Sequence, residues 1–375
     1  MRIIKHYLAF LIVLATHVLG YAQYNQSAQP KPPTVEDKAR WSKQGRELPT
    51  RELLQPTLDK ELSTFVPKES KDLAGDMRGA ASDVLADLAS RWIAAFRVYY
   101  PNVHISVPPP YSGQVGAKEL VKGDIDFALV SRELVPSDIV SFKAKYGYAP
   151  LSIPIMGGTY RHFGFLDAVA FFVNKDNPIN ELTFKQLDGL LSTTYYRGSA
   201  PIRTWGQLGL KAEWYDKKIE VYAVKPWNGF EEFVRERVLC INNTTAKRGE
   251  WRKDLHFSET VFPISPAVAS DKYAIGYSGL AYLTPGVKLI AVSESETGRI
   301  VPPTYDEIAK ANYPLSRLVY INLNKNPSKV INPILNEFIR FIVSKEGQSV
   351  VLDQAVYIPL RVSQSAASLS LLGLN

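Results

Sequence analysis

The sequence predicts an α/β fold from one pattern, and the length and composition limit the alternatives. From about residue 58 onward, strand-like runs alternate with helix-like runs. The chain has 375 residues, which allows two domains and disfavours a single very large one. Apolar residues make up 46% and charged residues 22% of the chain, as in ordinary soluble proteins. This composition excludes a disordered, collagen-like or coiled-coil protein.

Residues 1–22 are predicted to be a cleaved secretory signal peptide. Arg2 and Lys5 precede a nearly all-apolar run over residues 8–19, and the small residues Gly20 and Ala22 follow it. The run is shorter than the ~20 residues that a membrane span needs, and no cysteine follows it to carry a lipid anchor. We therefore expect the mature protein to be exported and soluble. A buried N-terminal helix is the alternative interpretation.

Residues 23–57 are rich in proline, glutamine and charge, which is typical of a linker or extended arm. Removal of residues 1–22 takes away two positive charges and lowers the formal charge from +7 to +5. The remaining lysines and arginines are scattered, so we expect no nucleic-acid partner. The single cysteine, Cys240, excludes a disulfide framework and a cysteine-based zinc site, and we expect it to be buried.

Hydrophobic periodicity predicts the positions of helices and strands. The predicted helices cover 81–100, 116–122, 184–191, 229–239 and 332–343, and a last helix begins near Lys345. The predicted strands cover 103–107, 126–130, 168–173, 219–224, 274–277 and 318–323. The run over 168–173 (AVAFFV) is continuously apolar, so we expect it in a sheet that is buried on both faces.

The motifs do not indicate an enzyme or a metalloprotein. The histidines that remain after signal cleavage are His104, His162 and His256, and no two of them have the i, i+4 spacing of a metal site. The Gly276–Gly279 segment approximates a nucleophile elbow, but Leu280 occupies the position of the final glycine. We therefore predict no catalytic residue, no metal site and no cofactor.

Seven strings occur in an order that resembles the periplasmic phosphate-binding proteins of ABC phosphate importers. They are FALVSREL (127–134), LDAVAFFVNKDNP (166–178), IRTWGQLGL (202–210), ERVLC (236–240), YAIGYSGLAYLTPGVK (273–288), YPLSRLVYINLNK (313–325) and FIRFIVSKEGQSVV (338–351). The resemblance covers roughly residues 70–362. It implies the two-lobed type II periplasmic-binding-protein fold, in which two crossover strands join the lobes and a hinge motion closes them on a ligand.

The resemblance also implies the domain organisation and the function. Lobe I would comprise residues 58–172 and 319–375, and lobe II residues 173–318. The protein would be a periplasmic, non-enzymatic monomer that binds phosphate or a related oxyanion for an ABC permease complex in the inner membrane. In this family the anion is held mostly by hydroxyls and by backbone N–H groups at helix N-termini, helped by an arginine. A carboxylate accepts the proton of phosphate and repels sulfate, which carries none.

The resemblance places the ligand residues on four loops and one crossover strand. The predicted ligand-binding residues are Asp76, Ser112, Gly113, Ser131, Arg132, Asp167, Asn228 and Gly229. The first loop is placed at residues 74–77, before the first helix. It keeps Asp76, but Gly75 and Met77 stand where relatives have hydroxyls.

The fourth loop also departs from the family pattern. Its hydroxyl positions hold Pro226, Asn228 and Phe230, and Val224 stands at the arginine position. Each donor lost from a buried anion costs ~1–3 kcal/mol, so several losses can abolish micromolar binding. The alternative function is therefore a divergent paralogue that no longer binds phosphate and acts as a sensor or interaction module, or binds another small ligand. A hydrolase on the same scaffold is the third hypothesis.

Overall fold

A computed structural model describes residues 56–131, 134–160, 166–226, 229–241, 249–354 and 356–373. The predicted signal peptide and most of the predicted arm lie outside these residues, as do Arg132 and Asn228. Within the described part of the chain, no helix has the length and apolar character needed to span a membrane. Cys240 is buried, as predicted.

The described residues form a mixed α/β structure, which confirms the predicted class. The strands are β1 (Gly75–Ala81), β2 (Val103–Ser106), β3 (Phe127–Val130), β4 (Leu151–Gly157), β5 (Val169–Asn174), β6 (Glu181–Thr183), β7 (Glu220–Val224), β8 (His256–Ser258), β9 (Ala274–Gly279), β10 (Val287–Leu289), β11 (Ala291–Ser293) and β12 (Leu318–Leu323). The helices are α1 (Ala86–Phe96), α2 (Gly113–Lys122), α3 (Pro136–Tyr146), α4 (Phe184–Leu191), α5 (Gly229–Val234), α6 (Ile264–Ser270), α7 (Tyr305–Ala309), α8 (Pro333–Val343), α9 (Lys345–Asp353) and α10 (Val362–Leu371).

Two five-stranded sheets organise the fold. The first sheet has the strand order β2-β1-β3-β12-β4, and the second has the order β10-β5-β9-β7-β8. In the first sheet β1 runs parallel to β2 and β3, while β12 is antiparallel to β3 and β4. In the second sheet β7 runs parallel to β8 and β9, and β5 is antiparallel to β9. Each sheet has its own large hydrophobic core.

Strand β5 confirms the prediction made from its apolar run. Every residue of the strand is buried, because β5 pairs with β9 on one side and β10 on the other within the core of the second sheet. Helix α8 likewise matches its predicted amphipathic span, with Asn332 capping its N-terminus. Patterns that reflect burial therefore predicted these elements correctly.

The first predicted helix was too long. Its first residue, Ala81, ends β1, and α1 begins at Ala86 after a 3₁₀ turn. Strand β1 escaped sequence analysis because its sequence, GDMRGAA, is rich in residues that are depleted from strands. Small residues are needed there, since a Cβ atom at Gly79 would lie 2.2 Å from the ring of Phe127.

Two further helix predictions need correction. The helix predicted over residues 229–239 is α-helical only up to Val234, where α5 ends. Its remaining residues, Arg235–Leu239, form a π-helix. The helix that begins at Lys345 is not the last one, because α10 follows it. Helix α10 packs against α8 and β4 and extends the first sheet's core.

The segment over residues 56–73, which we call the N-terminal strap, packs against the C-terminal helices. The ring of Phe65 meets Tyr99 and Phe341 edge-on at centroid distances of 4.9 and 5.5 Å. The backbone N–H of Phe65 also donates to Glu346 at 2.5 Å. The strap therefore ties the start of the described chain to α8 and α9.

The substitution Phe65→Leu is expected to lower the free energy of unfolding by about 1–2 kcal/mol, because it removes the edge-on ring contacts and leaves space in the core. Urea denaturation measures this change. The adjacent Val66 is 63% exposed, so Val66→Ala should change the free energy by no more than about 0.5 kcal/mol. Equal effects of the two substitutions would contradict the packing role of the strap.

Candidate functional site

Three polar residues lie at one edge of the first sheet. Ser82 follows the carboxyl end of β1, and Ser131 follows that of the parallel strand β3. The antiparallel strand β12 begins at the same edge, because Tyr320 pairs with Val130, and this places Arg317 there. In open α/β sheets, ligands bind outside the carboxyl ends of the parallel strands.

The start of α2 joins this edge. The backbone N–H of Ser131 lies 3.4 Å from Ser82 Oγ and donates to it. A Cβ atom at Gly113 would lie 2.7 Å from the same oxygen, so the first turn of α2 approaches Ser82 closely. Ser112 caps α2 by accepting the N–H of Val115. The structure therefore brings the predicted residues Ser112, Gly113 and Ser131 together.

Ser82 is a candidate site residue that sequence analysis missed. Its side chain is buried and lies between β3 and α2. The signal was present, since a serine followed by Asp83 precedes the periodic part of α1, as at many helix starts. The predicted helix began at Ala81, before the turn that starts at Asp83, and so it covered this serine.

The structure does not bring Asp76 to this edge. Asp76 is the second residue of β1 and pairs in register with His104, near the amino end of both strands. At ~3.3 Å per residue, the strand separates it from Ser82 by about 20 Å. The prediction that residues 74–77 form the loop before the first helix was therefore wrong, because that loop begins after Ala81.

Asp167 and Gly229 lie at one edge of the second sheet. Asp167 precedes β5, and the antiparallel partner strand β9 ends beside it at Gly279. Gly229 opens α5, after β7, which runs parallel to β9. The Asp167 carboxylate is fully buried, and its Oδ2 accepts the backbone N–H of Ala281 at 2.9 Å. Its Oδ1 has no hydrogen-bond partner.

Burial changes the acid–base behaviour of Asp167. Removal of the carboxylate from water raises its pKa to about 7, although the Ala281 N–H and the charge of Arg317 act in the opposite direction. Near neutral pH this carboxyl group therefore exists in both protonation states. It can accept a hydrogen bond from a ligand or, when protonated, donate one.

The two sheets are joined at a crossover junction, which we define as residues 158–160, 166–168 and 313–317. The backbone N–H of Gly158 donates to the carbonyl oxygen of Arg317 at 2.8 Å. The backbone N–H of Val169 donates to the carbonyl oxygen of Leu315 at 3.2 Å. Five buried side-chain atoms of the junction have no hydrogen-bond partner: Thr159 Oγ1, Asp167 Oδ1, Tyr313 Oη, Ser316 Oγ and Arg317 Nε. Since nearly all buried polar atoms of native proteins are paired, this cluster makes the junction a candidate functional region.

Arg317 links the junction to α5. One of its terminal nitrogens, Nη2, donates to the carbonyl oxygen of Gly229 at 3.0 Å. Its Cζ lies 4.6 Å from the ring centroid of Phe233 and 5.3 Å from that of Phe230. Sequence analysis did not select Arg317 as a candidate, although it stands in a string that carries the family resemblance.

The described part of the fourth loop lacks a free positive charge. Val224 is fully buried, and the exposed Lys225 forms an ion pair with Glu259. Among the residues that the structure describes, no group of three or more His, Cys, Asp or Glu side chains is placed to hold a metal ion.

Comparisons with known proteins assign the family. Residues 66–346 match the sequence profile of the PBP superfamily domain. The phosphate-binding protein PstS of Pseudomonas aeruginosa is 30% identical over 308 residues, which cover 82% of this chain and 90% of that protein. PstS of Staphylococcus epidermidis is 26% identical over 290 residues, covering 75% and 78% of the two chains.

A solved structure shows the shared fold. The crystal structure of PstS from Borrelia burgdorferi has a TM-score of 0.51 and 18% sequence identity, and the match covers 76% of this chain and 99% of that one. The two sheets and their connections are thus those of a periplasmic-binding-protein fold, as predicted. The chain belongs to the PBP superfamily and, within it, to the family of PstS phosphate-binding proteins.

Proposed function

We propose that this protein binds phosphate between two lobes and delivers it to an ABC permease complex in the inner membrane. The lobes are those predicted from the sequence, with boundaries near residues 172 and 319. The observation that carries the proposal is the convergence of Ser82, Gly113 and Ser131 at the start of α2. The proposal is also supported by the PstS relatives, which are named as phosphate-binding proteins. The protein acts as a periplasmic monomer without catalytic activity.

The site supplies donors from one sheet and an acceptor from the other. The first N–H groups of the ten-residue helix α2 provide hydrogen bonds at the positive end of a helix dipole. The Ser82 hydroxyl, which donates to the carbonyl oxygen of Leu129 at 3.5 Å, joins them when it turns toward the anion. Asp167 accepts the proton of singly protonated phosphate through its unpartnered Oδ1. Sulfate has no proton to donate at neutral pH, so an ionised Asp167 disfavours it.

Thermal unfolding tests the proposal directly. Phosphate at about 100 times its dissociation constant stabilises the native state by about 2.7 kcal/mol, which raises the unfolding temperature of a chain of this length by about 4 °C. Sulfate at equal ionic strength should have a much smaller effect. In Ser82→Ala the phosphate shift should decrease, whereas Ser90→Ala on the exposed face of α1 should leave it unchanged. No phosphate effect at millimolar concentration would contradict the proposal.

A second candidate function follows from the fourth loop. The burial of Val224 and the pairing of Lys225 with Glu259 favour a divergent paralogue that binds a ligand other than phosphate. In that case phosphate leaves the unfolding temperature unchanged. Mass spectrometry of small molecules retained by the purified protein would then identify the ligand.

A further inference from the structure

We infer that Arg317, on the second connection between the two sheets, supplies the guanidinium that binds the charge of the anion. The inference rests on the proposed function and identifies the cation of that site. A buried phosphate needs a charged partner as well as neutral donors. At the edges where the candidate residues lie, Lys225 forms an ion pair with Glu259. The half-buried Arg317, in contrast, has no hydrogen-bond partner at its Nε.

The sheet register places Arg317 beside the donors of the first sheet. Strand β12 lies next to β3, and Tyr320 pairs with Val130, so the chain before β12 leaves the sheet beside Ser131. Thr159 and Ser316, whose buried hydroxyl oxygens have no partner, belong to the same junction. Arg317 Nε and these hydroxyls together provide donors that the described structure leaves without an acceptor.

Two aromatic rings of α5 orient the guanidinium. The group lies over Phe230 and Phe233, and its hydrogen bond to Gly229 fixes the direction of one terminal nitrogen. Stacking on rings and a fixed planar fork are properties that arginine has and lysine lacks. Phe230, which stands where relatives have a hydroxyl, therefore helps to position a charged donor from another part of the chain.

The surrounding charges are compatible with this role. Burial lowers the pKa of Arg317, and the nearby Asp167, Tyr282, Glu232 and Glu236 act in the opposite direction, so the guanidinium stays charged at neutral pH. Of these groups, Asp167 has a pKa raised by burial to about 7. Above this pH Asp167 is mostly ionised, so it can accept the hydrogen bond of singly protonated phosphate while Arg317 binds the negative charge.

The test compares two arginines of the same region in the mature chain. Arg237 also links the helix that follows β7 to the second connection, because its Nη2 donates to Pro314 at 3.1 Å, but its ion-pair partner is the exposed Glu294. Isothermal titration with inorganic phosphate at about pH 7.5 should show a dissociation constant at least about 30-fold higher in Arg317→Met than in wild type. Arg237→Met should stay within about threefold of wild type. Arg317→Lys should lower the affinity for phosphate about tenfold, since lysine keeps the positive charge but lacks the planar guanidinium group.

The outcomes separate this inference from the proposed function. Wild-type affinity in Arg317→Met overturns the inference and leaves phosphate binding intact. Equal losses in Arg317→Met and Arg237→Met would also overturn it, because they would show a structural role common to both arginines. If Arg317→Met does not fold by circular dichroism, wild-type affinity in Arg317→Lys overturns the inference. Absence of phosphate binding in the wild-type protein would overturn the inference and the proposed function together.

Discussion

Asp167→Asn is expected to remove a pH dependence of stability that the wild-type protein shows between about pH 4 and about pH 7. The pKa of the buried carboxyl group is raised from its ordinary value of 3.8 to about 7 in the folded protein. In this interval the folded state retains a proton that the unfolded chain has released, so the free energy of unfolding falls as the pH rises. The slope is at most about 1.4 kcal/mol per pH unit, and the total change is on the order of 4 kcal/mol.

Urea denaturation without phosphate, from about pH 4.5 to about pH 7.5, measures this contribution. The free energy of unfolding of the wild type minus that of Asp167→Asn should decrease steadily over this range, because other titrating groups cancel in the difference. Asp254 provides the control, since Arg252 lowers its pKa. Its titration therefore lies below about pH 4, and the difference for Asp254→Asn should stay flat. A flat difference for Asp167→Asn would show that the carboxyl group is not desolvated as described.

The fold was predictable where burial leaves a periodic pattern in the sequence. Strand β5 and helix α8 were placed almost to the residue because nearly every apolar side chain in them is buried. Strand β1 was not predicted, because close packing against Phe127 requires small residues and removes the apolar pattern. Because this strand was not predicted, the first helix was predicted to start too early, and the first ligand loop was placed at residues 74–77.

The candidate site was predicted from the family resemblance, and local patterns supported it only in part. Ser131 directly follows a predicted strand, whereas Gly113 came from the family resemblance alone, because the predicted helix began at residue 116 and the structure begins it at Gly113. Arg317 comes beside Ser131 only because β12, from the far end of the chain, inserts between β3 and β4. The order of strands in a sheet depends on long-range packing, which local periodicity does not encode. For the same reason, the contact between Asp167 and Gly279 could not be derived from the sequence.

That contact predicts a large effect for Gly279→Ala. An ideal Cβ atom at Gly279 would lie 2.2–2.5 Å from the carboxylate atoms of Asp167, far inside van der Waals contact. Neither group can move freely, since Gly279 pairs with Val169 at the end of β9 and Asp167 is held by the N–H of Ala281. The substitution should therefore lower the free energy of unfolding by about 3 kcal/mol, measured by urea denaturation at about pH 7.5.

Two comparisons establish that the steric contact with Asp167 is the cause. Gly229 has no heavy atom within 4 Å of its ideal Cβ position, so Gly229→Ala should have little effect on stability. In an Asp167→Ser background the shorter side chain makes room for the new methyl group. Gly279→Ala should then cost at least about 1 kcal/mol less than in the wild-type background. An equal cost in both backgrounds would mean that Gly279→Ala acts through the backbone of β9. The close packing of Asp167 against this strand would then not be the reason for glycine at position 279.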